Sequence, residues 1–586
     1  MFDLIIKNAQ VIDGSGNQPY TADIGINGDL IHTIGSLKDV EAGQIIEAKG
    51  KIVCPGFIDV HSHADLTYFR TDQAELLSPL VKQGITTFVG GNCGMALAPI
   101  TKHHNKELQT YLEIFTQMDF ESDIQWDSMG SFMEHTENNG LLLNTAMLAP
   151  HGVLRISASG MNDRPCTDIE IKSMKSLLDE SMEAGAFGLS TGLQYAPGSQ
   201  SDTAELIKLT DSLSRYDDPV FTCHLRSYTS TSLNKAIDEV AAVAGANGIH
   251  GHVSHIFSVP WTGPAHNQIL KVLKWLARNG EKSAKYIPDF LIDMEMNKIL
   301  KQLGKIRNTD TEITMDVMPT TAGFTHLIAF FPPWALVGTK DDILNRVKDR
   351  AIRKEMLNDI NKGVPKWPHR GKNDWSLNIM RQLGWDAVTI MAVHSAKNKH
   401  LEGRLFTDIA AEQAKHPFDV MCDLLIEEDG RILVFESLSE PDDAFTEKYT
   451  FPALKDPKTM ITTDTILLGM GQPSYLFYGC YPKFIERYVY KFNLLDLPTA
   501  VARCTGLPAT EFGIKHRGFI KENHYADLLM MDPEKFKTEA VFRNPAQAPT
   551  GLDMVMVNGK IVAENGKRNR DILAGRMLRK NNQSPQ

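Results

Sequence analysis

Two histidines one residue apart, His61 and His63, close the apolar run FIDVHSH. On a strand, residues i and i+2 point the same way, so both imidazoles would converge on one point and could share a cation. With 19 histidines in the chain, such a pair can also arise as two hydrogen-bonded structural residues. Cys93 ends a second apolar run, in GGNCG. A free cysteine is commonly a small buried thiol. The alternative is a thiolate ligand, because zinc takes sulfur at about 2.3 Å and lowers the thiol pKa. Flanking glycines would let the backbone approach a metal closely. His224 ends PVFTCHL and His255 ends IHGHVSHI. His250, His252 and His255 cannot all face one side of a strand. His255, nearest the C-terminal end, is the candidate ligand, and structural hydrogen bonding suits the other two. Asp464, in ITTDT, is either a capping aspartate or a carboxylate partnered by a cation.

These residues matter only if the fold brings them together. They sit at the ends of apolar segments that alternate with amphipathic helices: 57–63, 85–93, 144–152, 186–193, 219–225, 249–256, 312–319 and 459–466. After the third segment, Thr167 with Glu170 forms a capping box, and Ile171, Met174, Leu178 and Met182 follow at helical spacing. Eight strands alternating with helices predict an α/β fold, a (β/α)8 barrel with its site at the strands' C-terminal ends, and a doubly wound sheet is the competing topology. The six candidate residues fall at the ends of strands one, two, five, six and eight. Scattered core residues would not fall at that end every time, so the constellation argues for a metal site where single members do not.

Residues 1–56 and 510–575 read as short strands with Asn27-Gly28 and Asn558-Gly559 hairpin signals. Each set is poor in core by itself, so the two are expected to pair into one small β-sandwich. The barrel is expected over 57–500. About 140 residues separate its seventh and eighth strands, which calls for an insertion, placed around 340–455. Segments near 280–312 and 340–400, with Trp367, Trp375 and Trp385, could form a lid or decorate the surface. Residues 576–586 read as a polar tail, its end disordered.

At 586 residues, 42% hydrophobic and 23% charged, the chain can bury a sizeable core. Its mean hydropathy of −0.22 and broken apolar runs argue against a bilayer-spanning helix. A net charge of −11 without a basic block argues against a nucleic-acid partner. The start MFDLIIKNAQ does not read as a signal peptide. Seven scattered cysteines match reduced thiols better than a disulfide framework, so a cytoplasmic location is expected.

PGFIDVHSHAD resembles the first-strand signature of the amidohydrolase superfamily. GNCGMALAP, GAFGLSTGLQYAPGS, CHLRS, SHI, DVMPTTAG and NKHLEGRLFTDIA resemble successive segments of D-aminoacylases (N-acyl-D-amino-acid deacylases), and HRGFIKENHYADLLMMDPE with VNGKIVAENG continues the resemblance towards the C-terminus. The resemblance implies a distorted barrel with a small β-domain from both chain ends. It implies one or two Zn²⁺ ions held by His61, His63, Cys93, His224 and His255, with Cys93 in place of a bridging carboxylated lysine. Asp464 is implied as catalytic acid and base beside the metal, taking a proton from water and giving it to the leaving amine.

Two positions depart from that family. Phe257 stands where its sixth-strand motif continues with lysine, and Leu476 where its eighth-strand loop carries arginine. Those cations can hold a substrate carboxylate; Phe and Leu cannot. Arg226 could substitute, or could pair with a neighbouring loop. The expected substrate is therefore a small amide that is uncharged or apolar on the amine side, with Tyr195, Arg226, Phe257, Thr325 and Leu476 as pocket candidates. A cyclic amide, urea or carbamate hydrolase is the alternative enzyme. A metal-free assembly protein is the non-enzymatic alternative, disfavoured because every ligand position is filled. A homo-oligomer is possible, and no membrane partner is expected.

Overall fold

The computed structural model describes residues 1–116, 118–365, 367, 374–375, 377–466 and 469–583. The last three residues of the expected tail and parts of the expected insertion lie outside this set. Each of the eight alternating segments contains a strand. These are β1 (Phe57–Asp59), β2 (Ile85–Gly90), β3 (Asn144–Met147), β4 (Gly188–Gly192), β5 (Val220–His224), β6 (His250–Val253), β7 (Ile313–Val317) and β8 (Thr459–Ile461). All pair in parallel. One sheet runs β1-β2-β3, and the other runs β8-β7-β6-β5-β4 and ends on Ala149–Pro150, immediately after β3. A parallel bridge between Ser62 and Thr465 joins the β1 side to the β8 side. Parallel strands buried on both faces read as continuous apolar runs, which is why they are legible without alternation.

The join between β1 and β8 is cross-linked by buried polar groups. Asp59 accepts from the Thr462 hydroxyl at 2.6 Å and from the Thr463 backbone N–H at 3.2 Å. The Tyr481 hydroxyl lies 3.3 Å from the Ile58 carbonyl and 3.1 Å from that of Ile461. Burial pushes the Asp59 carboxyl up to about 6, against these hydrogen bonds. Outside the strands, the helix Asp168–Ala184 begins as its sequence demands. Thr167 and Glu170 cap it reciprocally, Gly185 ends it in the left-handed region, and Ile171, Met174, Leu178 and Met182 are buried.

The two chain ends share one nine-stranded sheet. Its seam is the antiparallel pairing of Ile52–Pro55 with Leu528–Met531, in which Val53 faces Met530. Ile6, Ile24, Val53, Leu528 and Met556 form its core. The first hairpin turns one residue later than its signal suggests, because Asn27 pairs with Leu30 around Gly28-Asp29. In the second, Asn558 and Gly559 both take positive φ between paired Val557 and Lys560, as a type I′ turn requires.

Between β7 and β8 the chain builds a three-stranded antiparallel sheet from Gly323–His326, Ile432–Glu436 and Val388–Val393. This sheet starts before residue 340, because Gly323–His326 takes its hydrogen bonds from Ile432–Glu436 and none from the parallel strands. Among the described residues no helix is long and apolar enough to cross a membrane. All seven cysteines are free thiols.

Leu528 is fully buried where the two chain ends meet. Replacing it with alanine should cost about 2–5 kcal/mol in chemical denaturation. An unchanged midpoint would contradict a core shared by both ends.

Candidate metal centre

The ends of β1, β2, β5, β6 and β8 deliver their side chains to one buried place. His61 Nε2 lies 3.2 Å from Cys93 Sγ, which lies 3.5 Å from His224 Nδ1 and 3.8 Å from His255 Nε2. Asp464 Oδ1 lies 3.3 Å from His63 Nε2 and 3.5 Å from His61 Nε2. Two donor triads result, His61–Cys93–His255 and His61–His63–Asp464, each with ligand atoms within 4.8 Å of one another. His224 joins through Cys93 and through its ring, centred 4.6 Å from that of His255.

Local backbone geometry turns these groups inward. Cys93, His255 and Asp464 all adopt positive φ, at 52°, 32° and 53°. That region is costly for non-glycine residues and persists where the surroundings hold it. Cys93 sits between Gly91 and Gly94, both also at positive φ. At Gly94 a side chain would press on the backbone nitrogens of Gly152 and Gly192, at 3.0 and 3.1 Å. For Asp464, the backbone N–H donates to the His61 carbonyl at 2.9 Å, tying the eighth strand's end to the first.

Two imidazoles, His255 and His224, have their outer nitrogens hydrogen-bonded, which points their inner ones at the thiol, and the third, His61, has a carboxylate close to its outer nitrogen. Tyr228 spends its one hydroxyl proton on the Ser254 carbonyl at 3.1 Å, so it accepts from His255 Nδ1–H at 3.0 Å. The Gln194 side-chain oxygen accepts from His224 Nε2–H at 3.0 Å. Asp316 Oδ2 faces His61 Nδ1 at 3.4 Å. For His255 and His224 this leaves a lone pair on the nitrogen nearest Cys93, the tautomer a metal ligand needs.

The electrostatics agree. Burial alone would raise the Cys93 thiol, but His61 and His224 bring it well below its ordinary value. Burial opposes charge on His63 too, yet Asp464 and Cys93 raise it to about 9. Asp464 is buried, yet His63, His61 and His255 hold its carboxyl below the usual range. Among the described residues no lysine or arginine pairs with Cys93 or Asp464. Sulfur, imidazole nitrogen and carboxylate oxygen in one buried cluster form a donor set that fits zinc.

Asp316 carries more of this site than its place in EITMDVMP suggests. It also accepts from His252 Nε2 at 2.8 Å and from the His255 backbone N–H at 2.5 Å. His250 is satisfied by Thr314 and the Glu511 carbonyl. A buried aspartate inside an apolar strand was the available signal, with nothing to separate it from a structural ion pair.

The pocket candidates divide. Tyr195 packs on His224 at 4.6 Å between ring centres, and Thr325 donates to its hydroxyl at 3.4 Å. Phe257 stacks on Tyr228 at 4.2 Å. Arg226 does not present a cation to substrate. It is 3% exposed and spends its guanidinium on Glu239, at 3.0 and 3.1 Å, and on the Ser199 and Ser201 carbonyls. Leu476 does not reach the pocket either. It is fully buried at the start of the helix Leu476–Lys483, with its carbonyl taken by Gln83.

Beside His224 lies a cavity of about 50 Å³, walled by Tyr195, Gln194, His326, Phe331, Leu336 and Trp375, among others. The last four come from the segment between β7 and β8. His326 is the one histidine lining the cavity among the described residues, and burial lowers it to about 3, so it is neutral. Among the described residues no lysine, arginine, aspartate or glutamate lines the cavity.

No family model matches the chain. It is 26% identical over 560 residues to a D-aminoacylase of Alcaligenes xylosoxydans xylosoxydans, covering 95% of this chain and 94% of that one. It is 27% identical over 561 residues to an N-acyl-D-glutamate deacylase of the same organism, covering 95% and 93%. Among solved structures, N-acyl-D-glutamate deacylase from Bordetella bronchiseptica, complexed with zinc and a phosphonate mimic of the reaction's tetrahedral intermediate, matches at TM-score 0.73 and 24% identity over 99% of each chain. The likeness to D-aminoacylases carried by the motifs therefore extends along almost the entire sequence.

Replacing Asp316 with asparagine should weaken metal retention by about 10–100-fold in chelator competition while the protein stays folded. Unchanged retention would show that this carboxylate does not support the histidines.

Proposed function

We propose that this chain is a zinc-dependent amidohydrolase of the deacylase type, which cleaves a carbon–nitrogen bond other than a peptide bond in a small amide that is uncharged on its amine side. One observation carries the reading. A thiol, imidazoles and a carboxyl from five strand ends meet in one buried place, and among the described residues no lysine or arginine pairs with Cys93 or Asp464. The eight parallel strands, joined through Ser62 and Thr465, support a closed (β/α)8 barrel, and the shared terminal sheet, wrapped on its own core, supports the β-sandwich.

Cys93, His224 and His255 would hold one zinc, with His61, His63 and Asp464 available for a second. When bound, zinc supplies a Lewis acid for the scissile carbonyl and lowers the pKa of water towards about 7. The protein's own groups do the rest. His63 and His61 keep the Asp464 carboxylate ionised, so its oxygen can take a proton from water and return it to the leaving nitrogen. Tyr228 and Gln194 hold His255 and His224 in one tautomer throughout. Tyr195 and the apolar cavity behind it keep bulk water from His224 and receive an uncharged arm of the substrate.

The uncharged amine side follows from the lack of a free cation at the site among the described residues. Phe257 stacks on Tyr228, Leu476 is in the core, and Arg226 is spent on Glu239. A free carboxylate arriving here would lose hydration without gaining a partner, at a cost of several kcal/mol.

Asp464→Asn should keep zinc on the Cys93 side and lose about 10²–10⁴-fold in turnover, read as released amine. Full activity in that variant would remove Asp464 from its role. In a panel of N-acyl amino acids, neutral amine-side derivatives should be cleaved in preference to the free acids, and the reverse order would overturn the substrate class.

A further inference from the structure

The segment between β7 and β8 brings a carboxyl to the site that no sequence motif marks. In its antiparallel sheet Gly323 pairs with Glu436, and Thr325 pairs with Val434. Directly paired residues, and those two apart on a strand, share a face, so Gly323, Thr325, Val434 and Glu436 lie on one side. That side meets the metal centre, because Thr325 donates to the hydroxyl of Tyr195, and Tyr195 packs on His224.

Glu436 sits there without a counter-ion among the described residues. Its Oε2 is buried and finds no hydrogen-bond partner, and among the described residues it makes no ion pair. The register places it on the sheet face that carries Thr325, two residues from Gly323, and Thr325 bonds Tyr195 beside His224. Gly323, directly opposite, provides the room: a Cβ there would lie 2.8 Å from Glu436 Oε1. A buried carboxylate oxygen left unpaired is costly, and such groups are retained where something else supplies the donor.

We infer that Glu436 is a specificity residue that accepts a hydrogen bond from an N–H group on the amine side of the substrate. The inference rests on the proposed amidohydrolase function and narrows its substrate class. Among neutral derivatives, those with an N–H donor, such as carboxamides, are preferred over esters of the same size, which have none. The charge of Glu436 also makes the site repel a free carboxylate, beyond merely lacking a cation for it.

The test compares three N-acyl amino acids that differ only at that group (primary amide, methyl ester and free acid), each with the zinc-loaded wild type and with Glu436→Gln. Assays are run well above neutral pH, because burial lifts the Glu436 carboxyl to about 7 and it must be ionised. For wild type, kcat/KM should favour the amide over the ester by about tenfold or more, the size expected for a hydrogen bond to a charged group. In Glu436→Gln that lead should shrink several-fold, the ester should change little, and the free acid should improve. Equal amide and ester rates in the wild type would overturn the role of Glu436 while leaving the hydrolase standing. A uniform fall on all three substrates in the variant would make Glu436 structural and overturn it equally. No cleavage of any compound by zinc-loaded protein would count against the amidohydrolase reading itself. Gly323→Ala, which presses a methyl group on the carboxyl, should reduce the amide lead in the same direction, and an unchanged lead would argue against the pairing.

Discussion

The site depends on a buried sulfur that must be negatively charged and cannot be so alone. A thiol in a dry interior keeps its proton, as Cys54 and Cys223 do here, both pushed far up by burial. Cys93 is equally buried and goes the other way, because His61 and His224 face it. Everything around it maintains that inversion. Tyr228 and Gln194 fix which nitrogen of His255 and His224 faces the sulfur, and positive-φ backbone at Cys93, His255 and Asp464 holds the donors off the ordinary strand direction. A divalent cation is the charge that satisfies thiolate, carboxylate and neutral imidazoles together.

The fold supplies what that cluster needs. Strand ends from residue 61 to residue 464 must register to within a few tenths of an ångström, and the closing contacts between β1 and β8 do this where the sequence separation is greatest. Asp59 with Thr462 and Thr463, the Asp464 N–H on the His61 carbonyl, and Tyr481 across Ile58 and Ile461 together fix that register. The segment between β7 and β8 then lines the cavity beside His224, so its lining residues sit outside the parallel strands whose ends carry the thiol and imidazoles. The parallel strands and this segment's separate sheet can therefore vary independently.

What could be read from the sequence was local. The capping box at Thr167 and Glu170, the apolar runs of the parallel strands and the i, i+2 pairing of His61 and His63 each encode their geometry within a few residues. Choosing His255 over His250 and His252 rests on its place nearest the strand's C-terminal end, with periodicity saying only that the three cannot share one side. What escaped reading was pairwise and distant. Nothing near Arg226 announces that Glu239 will consume its charge, and nothing near Asp316 announces the imidazole of His61. Glu436 becomes conspicuous only when the sheet sets it opposite Gly323, a register that FESLSEP by itself does not determine. Leu476 was misplaced for a related reason: an aligned loop position does not say whether a helix will turn that side chain into the core.

The central claim is that Cys93 and the histidines bind one cation together. X-ray absorption at the zinc edge of the purified protein tests it most directly. The account predicts about one sulfur neighbour near 2.3 Å with the remaining ligands nitrogen or oxygen near 2.0–2.2 Å, and loss of the sulfur contribution in Cys93→Ser. A zinc-loaded protein whose spectrum holds no sulfur neighbour, or one that Cys93→Ser leaves unaltered, would contradict it.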